Sequence, residues 1–551
     1  MATPTSALGN NERPAGLLPE VLEIFQDTSD DILPCGPAVQ ALLARTFSHL
    51  NNLLYPAAEG TRSARDHGAD AATLAASLLR LSDEKLSSFP YKDVPLHWRR
   101  LYTDAVLLQA ISRLAAATVQ TGNQPAKETE SMEETVKQLD MALIIAGAPG
   151  EGREELVFAL IEEAQKRLRA VLDSSASPRP TKKRRLSPPP SPPRPLVPPY
   201  IHRPVNILST LPSLLHPTSS PPMTAMLAIS DDPSANSHNF PFVVRGAASP
   251  ATGWKAVDLW KDLAYLEGKA GLGRVVPVEV GSDYTAEGWG QRIMPFSSFL
   301  QSLRFPTAPS HNADASRAET LYLAQHSLFS QFPSLLYDFT VPDLVYSAPS
   351  SDGATTEPYE GVQTWDGYIL NAWLGPAGTK SAAHTDPWWN CYVQVTGKKW
   401  IWVAPPSCSS AMAAFGSPTA CASEPSTSTS HPASTAASAT SSISGMAEPQ
   451  RDSTEPAQSQ YMTNTSTLDV TVPPPPPTHV SDSSLSGEDG MKDSAQPDQA
   501  PHAYYPKEWL ERVEPFAQQV VLEAGDVLVM PPRWWHAMKS LETSFSVSMW
   551  F

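Results

Sequence analysis

Apolar residues recur at three- and four-residue spacings through the first third of the chain. Val39, Leu42, Leu43, Phe47, Leu50 and Leu54 form one such stripe. Leu101, Val106, Leu107, Ile111 and Leu114 form a second, and Leu156, Leu160, Ala164, Leu168 and Leu172 a third. This period of about 3.6 predicts amphipathic helices over 38–54, 98–119 and 154–172. Gly147, Pro149 and Gly150 break one helix, and Glu154 and Glu155 suit the first turn of the next. Residues 17–173 are expected to be an α-helical domain suited to docking. Helical pairs could stack there, although no strict repeat period is present.

Beyond residue 223 the pattern shortens. Val275–Val280, Cys391–Val395, Trp400–Val403, Gln519–Leu522 and Val527–Met530 are brief β-branched or aromatic runs, separated by Gly-Lys-Lys, Ala-Gly-Asp and Pro-Pro turns. They predict a mainly β domain over 223–551, a sandwich or jelly roll. Two stretches follow neither period. Residues 174–222 hold ten prolines between Pro178 and Pro199, which predicts an extended, disordered linker. Residues 407–503 are dominated by Ser, Thr, Ala and Pro and read as a largely disordered insertion between two strands. Within it, Tyr461–Val470 is the part expected to be ordered.

Composition agrees with this division. Of 551 residues, 41% are hydrophobic, only 18% are charged and 56 are proline. The net charge of −17 argues against a general basic surface for nucleic acid. It is compatible with a basic peptide partner. The four cysteines, Cys35, Cys391, Cys408 and Cys421, form no C-x-x-C pair, so neither a zinc ribbon nor a disulfide framework is expected. No signal peptide and no membrane span is read, which points to a soluble intracellular protein. Lys182, Lys183, Arg184 and Arg185 lie exposed in the linker and could engage an import receptor, so a nuclear location, with a cytoplasmic pool, is expected. Ser187-Pro188 follows, where a phosphate would offset that charge.

The leading chemical signal is His384-Thr385-Asp386. In a strand, residues two apart share a face, so this His and Asp can grip one metal ion. A second histidine would complete a 2-His-1-carboxylate set, which leaves coordination positions open for an Fe(II) oxygenase. His536, after Pro531-Pro532-Arg533-Trp534-Trp535, follows a strand and a turn and is the candidate. Lys399, taken alone, is a solvated strand end. Near a metal it could pair with a carboxylate of a cosubstrate.

Together these blocks carry a resemblance. Asn371–Pro376, Ser381–Pro387, Asn390, Gln394–Lys399, Pro531–His536 and Ser544–Ser548 resemble a Jumonji-C (JmjC) oxygenase domain. The match is nearest to the lysine demethylase 8 and arginyl hydroxylase subgroup. Pro277–Thr285 and Tyr322–His326 agree with it, and the resemblance covers roughly 240–406 and 505–551. It implies an α+β chain whose C-terminal part is a double-stranded β-helix, a cupin-like jelly roll. It implies that His384, Asp386 and His536 bind Fe(II), and that Lys399 and Tyr284 hold the distal carboxylate of 2-oxoglutarate. Ser381 and Asn390 match other cosubstrate positions, and Trp373 and Trp550 match pocket-lining aromatics, although both tryptophans also suit a core. His326 reads as structural and His97 as a surface residue.

The expected activity is hydroxylation of a protein side chain, arginine or another basic residue, with O2 and 2-oxoglutarate consumed. Demethylation of N-methyl-lysine in histones would use the same iron. A cupin-type binding module without catalysis is the remaining reading.

Overall fold

The computed structural model describes residues 25, 29–55, 64–90, 93–119, 125–175, 209–210, 241–281, 289–304, 319–346, 360–416, 463–471 and 505–551. Five long helices fill the N-terminal part: α1 (Pro37–Leu54), α2 (Ala64–Ser87), α3 (Leu96–Val119), α4 (Pro125–Met141) and α5 (Arg153–Ser175). The stripes read from sequence lie on α1, α3 and α5. Leu50, Val106, Leu107, Ile111, Leu114, Leu156, Leu160, Ala164 and Leu168 all enter one core. The α4 helix closes through a π turn over Ala142–Ala146, and Gly147 caps it at φ 72°. Among the described residues no helix is long and apolar enough to cross a membrane.

The C-terminal part is built from strands, with a two-residue parallel strand, β1 (Ser209–Thr210), added at one edge. The strands are β2 (Phe242–Val244), β3 (Val275–Val280), β4 (Gly290–Pro295), β5 (Leu321–His326), β6 (Ile369–Gly375), β7 (Lys380–Thr385), β8 (Asn390–Thr396), β9 (Lys399–Ala404), β10 (Gln518–Leu522), β11 (Val527–Met530), β12 (Trp535–Ser540) and β13 (Ser544–Trp550). One sheet runs β1-β2-β11-β8-β13-β6-β5-β3-β4 and the other β10-β9-β12-β7. Eight strands, β6 to β13, thus divide four and four between two facing sheets. That is the double-stranded β-helix the sequence led us to expect.

Strand alternation explains the layering. On β13, Phe545, Val547 and Met549 enter the large core outside the first sheet. Ser544, Ser546 and Ser548 alternate with them and take the opposite face. On β9, Trp402 and Ala404 pack outward, while Ile401 and Val403 enter the core between the sheets. The interior therefore receives hydroxyls, Lys399 and aromatic rings from several strands. The outer core is capped by Trp260, Phe296, Phe299, Phe329 and Phe332.

Two features of the fold bear on the linear reading. First, parts of the 407–503 insertion fold. Residues 407–416 and 463–471 are described, and Cys408, Met412 and Val470 pack with Trp402, Trp509 and Trp535. The Thr463–Val470 portion of the stretch expected to be ordered is among them. Second, the helical part is not merely tethered. Asp140 on α4 is fully buried and takes two hydrogen bonds from Arg274 Nε (2.8 and 2.9 Å), one from its terminal nitrogen (2.6 Å) and one from Val275 N (2.8 Å). Gln165 on α5 donates to the carbonyls of Ala270 and Leu272. Lys182–Arg185 lie outside the described residues, as does the linker between 176 and 208.

Candidate metal centre and cosubstrate pocket

The β7 strand carries the first motif, and its backbone is irregular. Against β12, His536 pairs with His384 but Met538 pairs with Ser381. Two residues on β7, Ala382 and Ala383, therefore stand against one on β12, Ala537, which is a β-bulge. In a regular strand Ser381 and His384 would point to opposite faces. The bulge turns both toward the interior, while Ala383 packs outward with Trp402 and Trp535.

His384, Asp386 and His536 meet at one point. One ligand atom from each lies within 4.8 Å of the others. Nε2 of His384 is 4.0 Å from Asp386 Oδ1, and Nε2 of His536 is 3.6 Å from Asp386 Oδ2. The two rings stand 4.2 Å apart between centroids. Backbone carbonyls fix the tautomers. His384 Nδ1 donates to Ala382 O at 2.7 Å, and His536 Nδ1 donates to Trp534 O at 3.0 Å. With the proton held on Nδ1, each ring turns an Nε2 lone pair toward Asp386, the state a metal ligand needs. Burial, together with the neighbouring His384, pushes His536 down to about 4, so it stays neutral through the physiological range. The Arg533 amide donates to Asp386 O at 2.7 Å and ties the two motifs together. Arg533 holds a left-handed φ of 64° in that turn. Two imidazoles and a carboxylate suit a divalent transition ion.

Deeper in the barrel lies Lys399. It is not the solvated strand end it resembles in isolation, because only 1% of it is exposed. Its Nζ donates to the hydroxyls of Tyr392 (2.8 Å) and Tyr322 (3.2 Å). The rings of Tyr392, Tyr322 and Trp373 surround it at 5.5, 5.6 and 5.9 Å. No carboxylate pairs with it among the described residues. Burial alone pushes its pKa down to about 7. A buried cation without a counter-ion is costly. A bound carboxylate would relieve it, so the pocket fits a dicarboxylate cosubstrate.

The other sequence candidates divide as follows. Ser381 is buried and hydrogen-bonded to Tyr322, at the rim of this lysine pocket. Asn390 is buried, and its Oδ1 has no partner among the described residues. Trp550 stands opposite Asn390 across β13 and β8, and its Nε1 is also without a partner. Trp388 packs on Trp550 at 5.4 Å. Trp373 spends its Nε1 on Ser548 and offers only its face. Tyr284 lies outside the described residues. His326 is structural as read: it bonds Gln331 at 2.7 Å, behind the pocket.

Sequence reasoning gave no role to Tyr322, Tyr392 or Asn371. Both tyrosines sit in apolar strands and look like core. Only the β8–β9 hairpin and the neighbouring sheet order bring them to Lys399. Asn371 is buried, and its Nδ2 has no partner among the described residues.

Comparison with known proteins agrees with the fold. Residues 230–551, more than half of the chain, match the family model described as a cupin-like domain. The chain belongs to the cupin-like JmjC family. Similar curated proteins include the Jumonji C domain-containing protein 5 of Drosophila melanogaster, 30% identical over 299 residues, which are 54% of this chain and 52% of that protein. The Lysine-specific demethylase JMJ30 of Arabidopsis thaliana is 28% identical over 298 residues, 54% of this chain and 47% of its own. The chain thus spans about half the length of these two relatives. The Lysine-specific demethylase 8 of Danio rerio is 25% identical over 489 residues, 86% of each chain. In this JmjC domain the eight-strand frame carries the candidate centre, with His384 and His536 on strands of the smaller sheet and Asp386 just beyond the end of β7.

Proposed function

We propose that the chain is an Fe(II)- and 2-oxoglutarate-dependent protein oxygenase that hydroxylates a basic side chain. The observation that carries this reading is the pairing of an open two-imidazole, one-carboxylate centre with a buried lysine lacking a carboxylate. His384, Asp386 and His536 would hold the iron. Lys399, with the Tyr322 and Tyr392 hydroxyls, would receive the distal carboxylate of 2-oxoglutarate. Ser381 and Asn390 are the proposed polar contacts nearer the metal, and Tyr284 remains a proposed contact. Bound there, iron and 2-oxoglutarate supply the oxidising power to insert oxygen from O2 into a C–H bond.

The protein's own part is ligation, orientation and exclusion of water. Fixed tautomers keep both histidines ready to bind without rearrangement. Lys399 and the aromatic rings set the cosubstrate in one direction. Trp388 and Trp550 wall the mouth with apolar surface. Just before β6, Trp365 is fully exposed, Tyr346 and Tyr368 meet edge to face at 5.7 Å, and Glu360 and Asp366 stand exposed. The first residue of β6, Ile369, pairs with Trp550. Aromatic faces beside carboxylates attract guanidinium and ammonium groups, which favours a basic substrate. We further propose the division 17–173, 174–222 and 223–551, with 407–503 inserted, and nuclear entry through Lys182–Arg185.

Demethylation of N-methyl-lysine is the second reading, favoured by two relatives named as lysine-specific demethylases. Incubating the full chain with Fe(II), 2-oxoglutarate and arginine- or lysine-containing peptides separates the two by mass spectrometry. Gain of one oxygen atom supports hydroxylation. Loss of one methylene from a methylated lysine, with no oxygen gain on any unmodified peptide, overturns it.

A further inference from the structure

The buried ion pair between the helical part and the JmjC domain does not end at Arg274. Arg274 also donates from a terminal nitrogen to the carbonyl of Gln331 at 2.8 Å, and its guanidinium lies 4.5 Å over the ring of Phe332. Gln331 closes the short helix Leu328–Gln331 and is buried. Its Nε2 donates to the carbonyl of Val275 at 2.7 Å, the residue whose amide donates to Asp140. That leaves Gln331 Oε1 as an acceptor, 2.7 Å from Nε2 of His326, so His326 donates its Nε2 proton to Gln331. Asp140, Arg274, Gln331 and His326 thus form one continuous polar series from α4 to β5.

The series ends on a bulge. Leu323 pairs with Leu374 and His326 with Ala372, so Ala324 and Gln325 on β5 stand against Trp373 alone on β6. Gln325 takes a left-handed φ of 46°, which is unfavourable for a residue with a side chain. Directly paired residues share a face, so His326 lies on the outward side with Ala372, as Leu323 does with Leu374. In a regular strand residues three apart would point to opposite faces, and the imidazole would enter the barrel. A strained turn of this kind persists where its surroundings hold it, and the His326–Gln331 bond ties this one to the polar series. Both neighbours of the bulge face the cosubstrate pocket. Tyr322, just ahead of it, accepts from Lys399 and sets its ring 5.6 Å from Nζ. Trp373, opposite it, lies 5.9 Å from the same nitrogen.

We propose that Asp140 and Gln331 are positioning residues for the cosubstrate. Through Arg274 and His326 they fix the β5 bulge, and the bulge sets Tyr322 and Trp373 around Lys399. Neither residue touches the cosubstrate; their effect passes through those two rings. The helical part is thereby a support of the pocket, and its α4 helix helps to set cosubstrate affinity. The inference rests on the reading of Lys399 as the carboxylate site for 2-oxoglutarate and deepens it.

The test uses the full chain with Fe(II) under argon and calorimetry of 2-oxoglutarate binding. Gln331→Met keeps the side-chain length but breaks the series at its centre, leaving the Asp140–Arg274 pair in place. Its Kd for 2-oxoglutarate should rise about ten-fold. In aerobic turnover the KM should rise by a similar factor, while kcat at saturating cosubstrate falls far less. Asp140→Asn should weaken binding in the same direction. In a Tyr322→Phe background the Gln331 change should lose most of its effect, because a group it positions is gone. Gln165→Met removes two other hydrogen bonds at the same junction and should lower the Tm without changing cosubstrate affinity. Hydrogen exchange of the cosubstrate-free chain gives a reading independent of 2-oxoglutarate: Gln331→Met should speed exchange over Leu321–His326 but not over Ser544–Trp550. A wild type that binds no 2-oxoglutarate would refute the oxygenase reading, and exchange alone would then judge the support of β5. Equal cosubstrate affinity in wild type and Gln331→Met, equal weakening by Gln165→Met, or unchanged exchange over Leu321–His326 would overturn the proposal.

Discussion

At the residue scale Lys399 concentrates the argument. Its pKa of about 7 in the free protein means that a bound carboxylate must draw a proton onto it at higher pH. Carboxylate binding raises the lysine pKa, so affinity is full below about 7 and falls as pH rises, by up to about ten-fold per unit. Calorimetry of 2-oxoglutarate binding across about pH 6.5–8.5 checks this; a flat affinity contradicts it. Lys399→Met should raise the KM for 2-oxoglutarate at least a hundred-fold. The same change should stabilise the cosubstrate-free protein at pH 7, because a buried cation is removed. The folded lysine pKa lies below the unfolded value of about 10.4, so the wild type gains stability as pH rises from about 7, and the gap to the variant narrows. Thermal melts at several pH values read that slope. The role of Lys399 was legible in sequence only through motif context, because a lysine at a strand start is ordinarily solvated. Its tyrosine partners were not legible, since tyrosines in β runs ordinarily pack.

At the scale of elements, β7 shows what linear patterns hide. His384-x-Asp386 was readable because residues two apart share a face. Ser381 and His384 are three apart, and alternation would separate them. The bulge that unites them has no sequence mark beyond two alanines. Deleting Ala382 should restore regular pairing with Ser381 and His384 two apart on one face, so metal binding should survive with only a modest change in Tm. Equilibrium metal binding on the folded variant measures this. The outer edge of β7 is covered by the insertion. Ser466 N donates to Ala383 O at 2.7 Å, Thr385 N donates to Asn464 O at 3.0 Å, and Lys380 pairs with Asp469 at 2.6 Å. Composition argued for disorder across most of 407–503 and left Tyr461–Val470 as the part expected to be ordered; there these short polar residues complete a sheet edge through backbone groups that composition cannot reveal. Ser466→Pro removes the backbone donor to Ala383 O and the hydroxyl that donates to Met412 O and accepts from Leu468 N, and should cost more than the about 1–3 kcal/mol of one unsatisfied group, read by denaturant unfolding.

At the scale of the molecule, the helical part and the JmjC domain share a buried ion pair. Asp140 and Arg274 are 134 residues apart, and no sequence period connects them. Asp140→Ala leaves Arg274 buried with its main partner gone, which should cost about 3–5 kcal/mol in denaturant unfolding. The helix stripes and the alternating strands, by contrast, were legible because burial on one face imposes a period. Proline excess marked the linker for the same reason in reverse, since such a stretch cannot bury a core. Replacing Lys182–Arg185 by alanine should reduce nuclear accumulation of the full chain, measured by fluorescence imaging. The central claim is that the 2-His-1-carboxylate centre drives 2-oxoglutarate turnover. Succinate formation by the full chain with and without Fe(II), beside an Asp386→Ala preparation, tests it most directly. The account predicts iron-dependent succinate from the wild type and none above background from the variant; full turnover by the pure variant would contradict it.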